Sequence, residues 1–281
     1  MQIDQGEGSA ATVTRIMSGA YDAGFGDINA IIQNVLETPE TAPLMVYQIY
    51  NQPPFSVLTK SDGPVQELSD LEGLRVGGPA GSAATRLFPA LAASAGVDVS
   101  EVEIVNVATN IQEQMLIRAN IEASLVFNVT SYLNLVGLGL DPETEFNWFN
   151  YGDNGVDIYS NGVMVSRELA KEHPEAVRGL VRAINRAMKE VIADPAMGAA
   201  TVKEVEPLID EELEELRIDF AIENLIISDE TETVGLGGVD EERLARSIET
   251  IKEAYELDGS LEPSIVFSSD FLPPLDDRTA N

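Results

Sequence analysis

The pentapeptide GSAAT stands at residues 8–12 and recurs, letter for letter, at residues 81–85. In each copy the glycine permits a tight turn, the serine is a preferred N-cap residue, and Ala-Ala-Thr can enter a helix at once. Each copy therefore predicts a junction between a strand and a helix. The chain after each copy also corresponds, because each stretch ends on a Phe and then a polar residue, Asp27 or Asn128, that opens another helix. The repetition predicts two related α/β lobes.

Short β-rich runs alternate with helical patterns between residues 21 and 135, among them predicted helices at 82–95 and 111–120 and a predicted strand at 123–127. This alternation is typical of a parallel sheet with helices on both faces, so we predict an α/β fold in which each lobe has a mostly parallel sheet. Beyond residue 165 the pattern changes to amphipathic helices around 174–192, 213–225 and 244–255, with Glu and Asp on their polar faces. The segment from Pro263 to Pro274 is predicted to be a short return strand or strap.

The composition excludes several classes of function. The chain has 281 residues and a formal net charge of −31, which repels nucleic acid and anionic lipid. It contains no cysteine, so disulfides, zinc–thiolate sites and thiol catalysis are excluded. No apolar run is long enough to span a membrane, and the opening MQIDQGEG lacks the basic and apolar regions of a secretion signal. We predict neither nucleic-acid binding nor membrane insertion.

Four stretches of the chain, residues 6–27, 55–84, 112–128 and 162–187, resemble one family. They are similar to the periplasmic solute-binding proteins of ABC importers for sulfonates, nitrate and thiamine-pyrimidine precursors, the NMT1/THI5-like group that also contains the fungal thiamine-pyrimidine synthase. The resemblance implies a type II periplasmic-binding-protein fold. Lobe 1 would comprise residues 1–55 and 166–281, and lobe 2 residues 56–165. Two hinge strands, 55–59 and 163–166, would let the lobes close on a solute.

The start of the chain departs from the family pattern. Family members usually place a strand, a helix and a second strand before the GxGS loop, whereas this chain begins within that second strand. We therefore expect lobe 1 to be incomplete at its N-terminus.

The candidate binding residues lie at the two repeated corners. Ligands of open α/β sheets lie beyond the carboxyl ends of the strands, where helix N-termini present free N–H groups. By matching position to the family, the predicted ligand contacts are Gly8, Ser9, Ala10 and Asp27 in lobe 1, and Gly81, Ser82, Ala83 and Asn128 in lobe 2. Asp27 would accept hydrogen bonds from a ring N–H or an amino group, or else cap the following helix.

Aromatic side chains near these corners are candidates for stacking on a flat ligand. Phe25, Phe55 and Phe127 stand at predicted strand ends, where they could stack on a solute or belong to the core. The stretch 147–162 adds Trp148, Phe149, Tyr151 and Tyr159 among amides and glycines, which suits a loop that lines a cleft or an ordinary loop and edge strand.

The resemblance implies a soluble binding protein that hands a small-molecule solute to an ABC permease and ATPase outside the cytoplasm. We favour a pyrimidine-like or other heteroaromatic solute, because Arg15, Arg75 and Arg118 have no clear reason to face the cleft and only Arg86 could. A sulfonate-, taurine- or nitrate-type anion is the alternative solute. A synthase-like enzyme is a further alternative. It would need a catalytic His, a pyridoxal-phosphate Lys and a Cys-rich loop, whereas the single His173 stands at a predicted helix start. We predict no cofactor and no metal.

Overall fold

The computed structural model describes residues 2–4, 6 and 8–280. Its strands are β1 (Ala23–Asp27), β2 (Leu44–Gln48), β3 (Phe55–Lys60), β4 (Arg75–Gly78), β5 (Glu103–Asn106), β6 (Ala123–Phe127), β7 (Phe146–Asn150) and β8 (Asn161–Val165). Its α-helices are α1 (Ser9–Met17), α2 (Ile28–Val35), α3 (Ala83–Ala95), α4 (Gln112–Ile117), α5 (Asn128–Gly137), α6 (Arg167–Glu172), α7 (Pro174–Ala193), α8 (Pro195–Val205), α9 (Glu211–Ala221), α10 (Asp229–Val234), α11 (Glu241–Ala254) and α12 (Pro263–Val266). None of the helices in these described ranges is both long and apolar enough to cross a membrane.

The chain divides into two compact units. Unit 1 contains the described residues up to Gln52 together with those from Ile158 onward, and unit 2 runs from Pro53 to Asp157. The segment 158–165, which the sequence analysis assigned to the second lobe, belongs to unit 1, because β8 forms its ladder with strands of that unit.

The sheet of unit 1 has the order β1-β8-β2, and β8 runs antiparallel to both neighbours. The strand directions therefore differ from the mostly parallel sheet that we predicted for this lobe. The physical reason is that β8 is the returning segment of the chain and enters between β1 and β2 in the opposite direction. One face of the sheet packs towards α7. Val177 and Val181, one helical turn apart on α7, belong to the same apolar core as the strand residues Val163 and Val165.

The sheet of unit 2 has the order β5-β4-β6-β3-β7. The pairs β4–β5 and β4–β6 are parallel, as predicted, whereas β3 is antiparallel to both β6 and β7. Its core includes Leu58, Val126 and Phe146 from the strands and Leu116 and Leu135 from the helices. The mixed α/β class predicted from the sequence is confirmed.

The C-terminal segment forms a strap without a strand. Residues 263–266 are helical and are followed by short 3₁₀ turns at Ser269–Phe271 and Leu275–Arg278. Phe267 forms only an isolated bridge with Met45. A longer ladder is not made, because the residues before Phe267 are helical and those from Ser269 onward form a 3₁₀ turn. Of the two predicted forms, strand or strap, the structure has the strap.

Candidate functional site

The first GSAAT copy begins α1, whose first turn lies beside the carboxyl end of β1. Residues 2–4, 6 and 8 form no strand, so the predicted strand–helix junction is not found at this copy in the part of the chain that the structure describes. Gly8 is the N-cap residue and has φ 96°, a left-handed conformation that glycine adopts without strain. Ser9 is already helical, and its Oγ accepts a hydrogen bond from the backbone N–H of Asp27 at 2.9 Å. The prediction that Ser9 is an N-cap is therefore wrong, because its hydroxyl binds the end of β1 instead of its own helix. Ala10 follows it on the exposed side of the first turn.

Asp27 is the last residue of β1 and the N-cap of α2, which confirms its predicted capping role. Its Oδ1 accepts hydrogen bonds from the backbone N–H of Asn29 at 3.0 Å and from Asn29 Nδ2 at 2.8 Å. The residue is only 7% exposed, and this burial raises the pKa of its carboxyl from 3.8 to about 7, although the bonds from Asn29 act in the opposite direction. Within the described residues Oδ2 accepts no hydrogen bond, so it keeps its capacity to accept one from a ligand.

An aromatic pair lies beside Asp27 in unit 1. Phe25 is 48% exposed, and its ring contacts that of Tyr50 edge-on at a centroid distance of 5.9 Å. Alternate residues of a strand share a face, so Phe25 and Asp27 lie on the same face of β1. Gly24 and Gly26 occupy the opposite face, where an added Cβ would meet Thr12 and Ser9 of α1. The strand therefore presents an open ring and a carboxyl group together.

The second GSAAT copy begins α3 in unit 2 with a different capping arrangement. Ser82 is the N-cap, and its Oγ accepts from the backbone N–H of Thr85 at 3.2 Å, as predicted. Gly81 is exposed, and Ala83, the first residue of α3, is half-buried. Two identical pentapeptides thus place their serine hydroxyls on different partners, because only the first serine has a strand N–H within reach.

Asn128 opens α5 at the end of β6 and is 3% exposed. Its Oδ1 accepts from the N–H of Val129 at 2.7 Å, and its Nδ2 faces Asn150 Oδ1 at 3.4 Å. Phe127 is half-buried and meets Phe55 edge-on at 5.1 Å. The unit 2 corner therefore combines an amide pair and one partly open ring.

Phe55 and Tyr151 occupy the layer below this corner. Both have 0% exposure, their rings are 6.0 Å apart, and Tyr151 Oη donates to the carbonyl of Ala84 at 2.7 Å. They thus hold the first turn of α3 and support Phe127, and neither ring has surface open to a solute. Of the predicted loop 147–162, residues up to 150 form β7 in unit 2, whereas Tyr159 is buried in unit 1.

Two of the four candidate arginines have partners away from the two corners. Arg75 is paired with Glu122 at 2.5 Å, and Arg15 lies over the ring of Tyr21 at 5.9 Å. Arg86 and Arg118 are exposed. His173 stands at the junction of α6 and α7 as expected, but its side chain makes no capping hydrogen bond. Across residues 2–4, 6 and 8–280, no three acidic or histidine side chains gather into a possible metal site.

Two residues of the unit 1 corner escaped the sequence analysis. Asn29 carries a local signal, because an Asn two positions after an N-cap Asp can donate a side-chain hydrogen bond to the carboxylate oxygen that caps the helix. Tyr50 carries none, because it lies beyond the end of β2 and meets Phe25 of β1 only in the folded chain.

The two serines allow a direct test of their different roles. Ser82→Ala should cost about 1 kcal/mol through loss of the N-cap, and Ser9→Ala a similar amount through loss of the acceptor for Asp27 N–H. Thermal unfolding followed by circular dichroism measures both. Ser18→Ala, at the exposed end of α1, is the control and should change stability by less than about half as much. Equal stability of Ser9→Ala and wild type would contradict the assigned contact.

Residues 1–197 match the family model described as NMT1/THI5 like. The chain belongs to the NMT1/THI5-like family. The resemblance inferred from the sequence is thereby confirmed. Among curated proteins, this family member is 24% identical over 239 residues to the riboflavin-binding protein RibY of Chloroflexus aurantiacus, a match that covers 81% of the chain. The match covers 64% of RibY, so this chain spans slightly less than two thirds of that relative's length.

Solved structures similar to this NMT1/THI5-like chain share its fold. The periplasmic aliphatic sulphonate binding protein SsuA of Escherichia coli has a TM-score of 0.70 at 12% identity, covering 91% of this chain and 82% of that one. A Candida albicans gene product, described as having the generic periplasmic binding protein fold, has a TM-score of 0.60 at 15% identity, covering 92% and 81%. The predicted periplasmic-binding-protein fold is confirmed.

Proposed function

We propose that the chain is the solute-binding component of an ABC importer and captures a small organic molecule that carries a flat nitrogen heterocycle. The family and the fold support a solute binder. The observation that carries the choice of solute is the pairing on β1 of the half-exposed Phe25 ring with the buried carboxyl of Asp27. The sequence-based prediction of hinge closure stays a prediction.

The chemistry of the unit 1 corner suits a heterocycle that donates hydrogen bonds. A ring stacked on Phe25 would bring an edge N–H or amino group within reach of Asp27 Oδ2, and hydrogen bonds to an ionised acceptor are about twice as strong as neutral ones. A sulfonate would meet the same carboxylate as a like charge above pH 7. The corner therefore favours a neutral or donor-rich solute over an anion.

The relative RibY supports the same class of solute by its name. Riboflavin contains a fused pyrimidinedione ring whose N–H lies between two carbonyl groups, which is the donor that an Asp acceptor would select. The fold neighbour SsuA is named for aliphatic sulphonates, so a sulfonate is the competing solute. We propose that the solute leaves chemically unchanged.

Titration with three solutes tests this proposal. Riboflavin binding is measured by quenching of its fluorescence, and binding of a thiamine-type pyrimidine and of ethanesulfonate by calorimetry. We expect at least one heterocycle to bind and to bind up to about tenfold more tightly near pH 8 than near pH 6, because Asp27 ionises as the pH passes about 7. Tight binding of ethanesulfonate alone would contradict the proposed solute class.

Asp27→Asn should weaken heterocycle binding and abolish its pH dependence, since the amide does not titrate. The control is Asp22→Asn, which makes the same chemical change at an exposed position next to β1. Asn128→Ala tests whether the unit 2 corner contacts the same solute, as the sequence predicts. An unchanged affinity in both Asp27→Asn and Asn128→Ala would remove these residues from the site.

We infer that the partners are an ABC permease and ATPase and that the protein acts outside the cytoplasm. The measurement is ATP hydrolysis by the transporter reconstituted in proteoliposomes. The heterocycle-loaded protein is placed on the side of the membrane opposite the ATPase, and its effect on the rate is recorded. We expect stimulation by the loaded wild type. No stimulation by a protein shown to be loaded would contradict the proposed transporter partners.

A further inference from the structure

A groove of about 780 Å³ lies in unit 1 between α7 and the C-terminal strap. We call it the basic groove, and define it by Arg178, Arg182, Arg186 and Lys189 on α7 and by residues 271–277 of the strap. Its floor is apolar and is formed by the strap residues Phe271, Leu272, Pro273 and Pro274. The groove is separate from both GSAAT corners in sequence and uses none of their residues.

The walls of the basic groove are fixed by buried hydrogen bonds. Asn185, which is 5% exposed, donates from Nδ2 to the carbonyl of Asp277 at 3.0 Å and accepts from Tyr47 Oη at 2.9 Å. Arg278 donates from Nε to the carbonyl of Pro273 at 2.9 Å and from Nη1 to that of Val234 at 2.7 Å. The strap is therefore held against α7 and the groove is preformed, which lowers the entropic cost of filling it.

The charge of the basic groove is opposite to that of the chain. The chain carries 17 Lys and Arg and a net charge of −31, yet four of those basic residues line this groove against two acidic ones, Glu190 and Asp277. Arg178 pairs with Glu175 at 2.5 Å and Arg186 approaches Glu190 at 3.8 Å, but the side chains of both pairs are exposed, where such pairs contribute little. Arg178 and Lys189 also donate long hydrogen bonds to the strap carbonyls of Asp270 and Asp277, at 3.4 and 3.5 Å. Within the described residues Arg182 makes no hydrogen bond or ion pair. A local excess of positive charge over an apolar floor is thus available for a ligand.

The spacing of the arginines indicates the shape of that ligand. Arg178, Arg182 and Arg186 recur every four residues, so they form a row along one face of α7 with steps of about 6 Å. Carboxylates at every fourth position of a second helix have the same repeat. Guanidinium groups bind carboxylates in a planar, bidentate geometry.

We propose that the basic groove binds an acidic amphipathic helix of a partner protein, with Glu or Asp side chains on the arginine row and apolar side chains on the strap. A second copy of this chain is the weaker occupant, because two molecules of net charge −31 repel each other. The proposal stands independently of the solute proposed above, since it uses no residue of either corner.

The test uses a fluorescein-labelled helical peptide of about five turns with Glu at every fourth position and Leu along the adjoining stripe. Fluorescence anisotropy is recorded in about 0.15 M salt, where the Debye length is about 8 Å and the global repulsion is largely screened. We expect saturable binding of this peptide and at least tenfold weaker binding of the same peptide with Lys in place of Glu. Failure of the Glu peptide to bind overturns the proposal.

Two charge reversals locate the binding surface. Arg182→Glu should weaken peptide binding at least tenfold, because it places a carboxylate in the middle of the row. Arg246→Glu makes the same change at an exposed position of α11 and should alter binding less than twofold. Both positions are exposed and Glu is a good helix former, so both variants should keep the wild-type circular dichroism spectrum. Equal effects of the two reversals would show a general charge effect and overturn the proposal.

Two further measurements separate the other occupants. An unlabelled peptide should displace the labelled one. Free acetate or ethanesulfonate at the same concentration should displace almost none of it, because a single anion contacts only one arginine of the row. Equal displacement by the small anions would show that the groove binds single anions and would contradict a helical partner. Sedimentation without peptide should show that Arg182→Glu leaves the oligomeric state unchanged, and a dimer that it dissociates would make a second copy the occupant and contradict a partner helix.

Discussion

Replacing Asp27 by Asn is expected to leave the stability of the protein nearly unchanged near pH 4 and to raise it by about 4 kcal/mol above pH 7. Burial raises the pKa of the folded carboxyl to about 7 from 3.8. The folded protein thus holds this proton more tightly than the unfolded chain does. Asp27 contributes its stability fully below about pH 4, and that contribution is lost as the pH rises through about 7.

Asparagine at position 27 does not titrate, and its carbonyl oxygen can still accept from Asn29. The free energy of unfolding of wild type should therefore fall relative to Asp27→Asn across the interval between pH 4 and pH 7 and then run parallel to it. Urea denaturation followed by circular dichroism at several pH values measures this difference. The control, Asp22→Asn, removes one exposed carboxylate beside the same strand. Parallel curves for wild type and Asp27→Asn over the whole range would show that the folded carboxyl titrates as in the unfolded chain.

The second large effect is expected at Arg243, which is 4% exposed in unit 1. Its Nη1 donates to Glu230 Oε2 and to Asn51 Oδ1, both at 3.0 Å, and its Nη2 donates to the carbonyl of Asn51 at 2.9 Å. The guanidinium also lies over the ring of Tyr159 at 4.2 Å, and Tyr159 Oη donates to Glu230 Oε1. One cation therefore joins segments of unit 1 that are distant in sequence.

Arg243→Met should destabilise the protein by about 3–5 kcal/mol, because it removes the buried cation that pairs with the carboxylate of Glu230 and donates to its Oε2. Urea denaturation measures the loss. The control is Arg246→Met, at an exposed position about one turn after Arg243 on α11, and it should change stability by less than about 0.5 kcal/mol. The double variant Arg243→Met with Glu230→Gln should recover part of the loss, since the uncompensated charge is then removed. A loss below about 1 kcal/mol for Arg243→Met would mean that water replaces the guanidinium.

Sequence patterns placed most helices and strands close to their observed positions, since these patterns reflect local propensity and periodicity. The predicted strand at 123–127 coincides with β6, and the helix predicted from Ser82 to Ala95 differs from α3 only in counting its N-cap. The helix predicted at 111–120 is shorter, Gln112–Ile117, because a 3₁₀ turn precedes it. Such end effects depend on tertiary contacts that a periodic pattern does not contain.

Only some residues of the candidate site, and only part of their arrangement, were predictable from the sequence. Asp27 and Ser82 could be chosen because capping depends on the next two or three residues. Phe55 and Tyr151 were predicted to contact the ligand but lie in the core. The sequence around an aromatic residue at a strand end does not show whether other side chains cover its ring. Phe25 was named as a candidate, and only the structure showed that its ring is open and paired with Tyr50.

The sequence by itself determined the α/β class, the family and the residues that cap α2 and α3. The class and the family follow from the order of patterns along the chain, and the caps follow from neighbours within one helical turn. Only the tertiary structure decided the bond from Asp27 N–H to Ser9 across 18 residues, the raised pKa of Asp27, the antiparallel place of β8 and the basic groove. Each of these depends on segments that meet only after the chain has folded, and on the water that is excluded when they do.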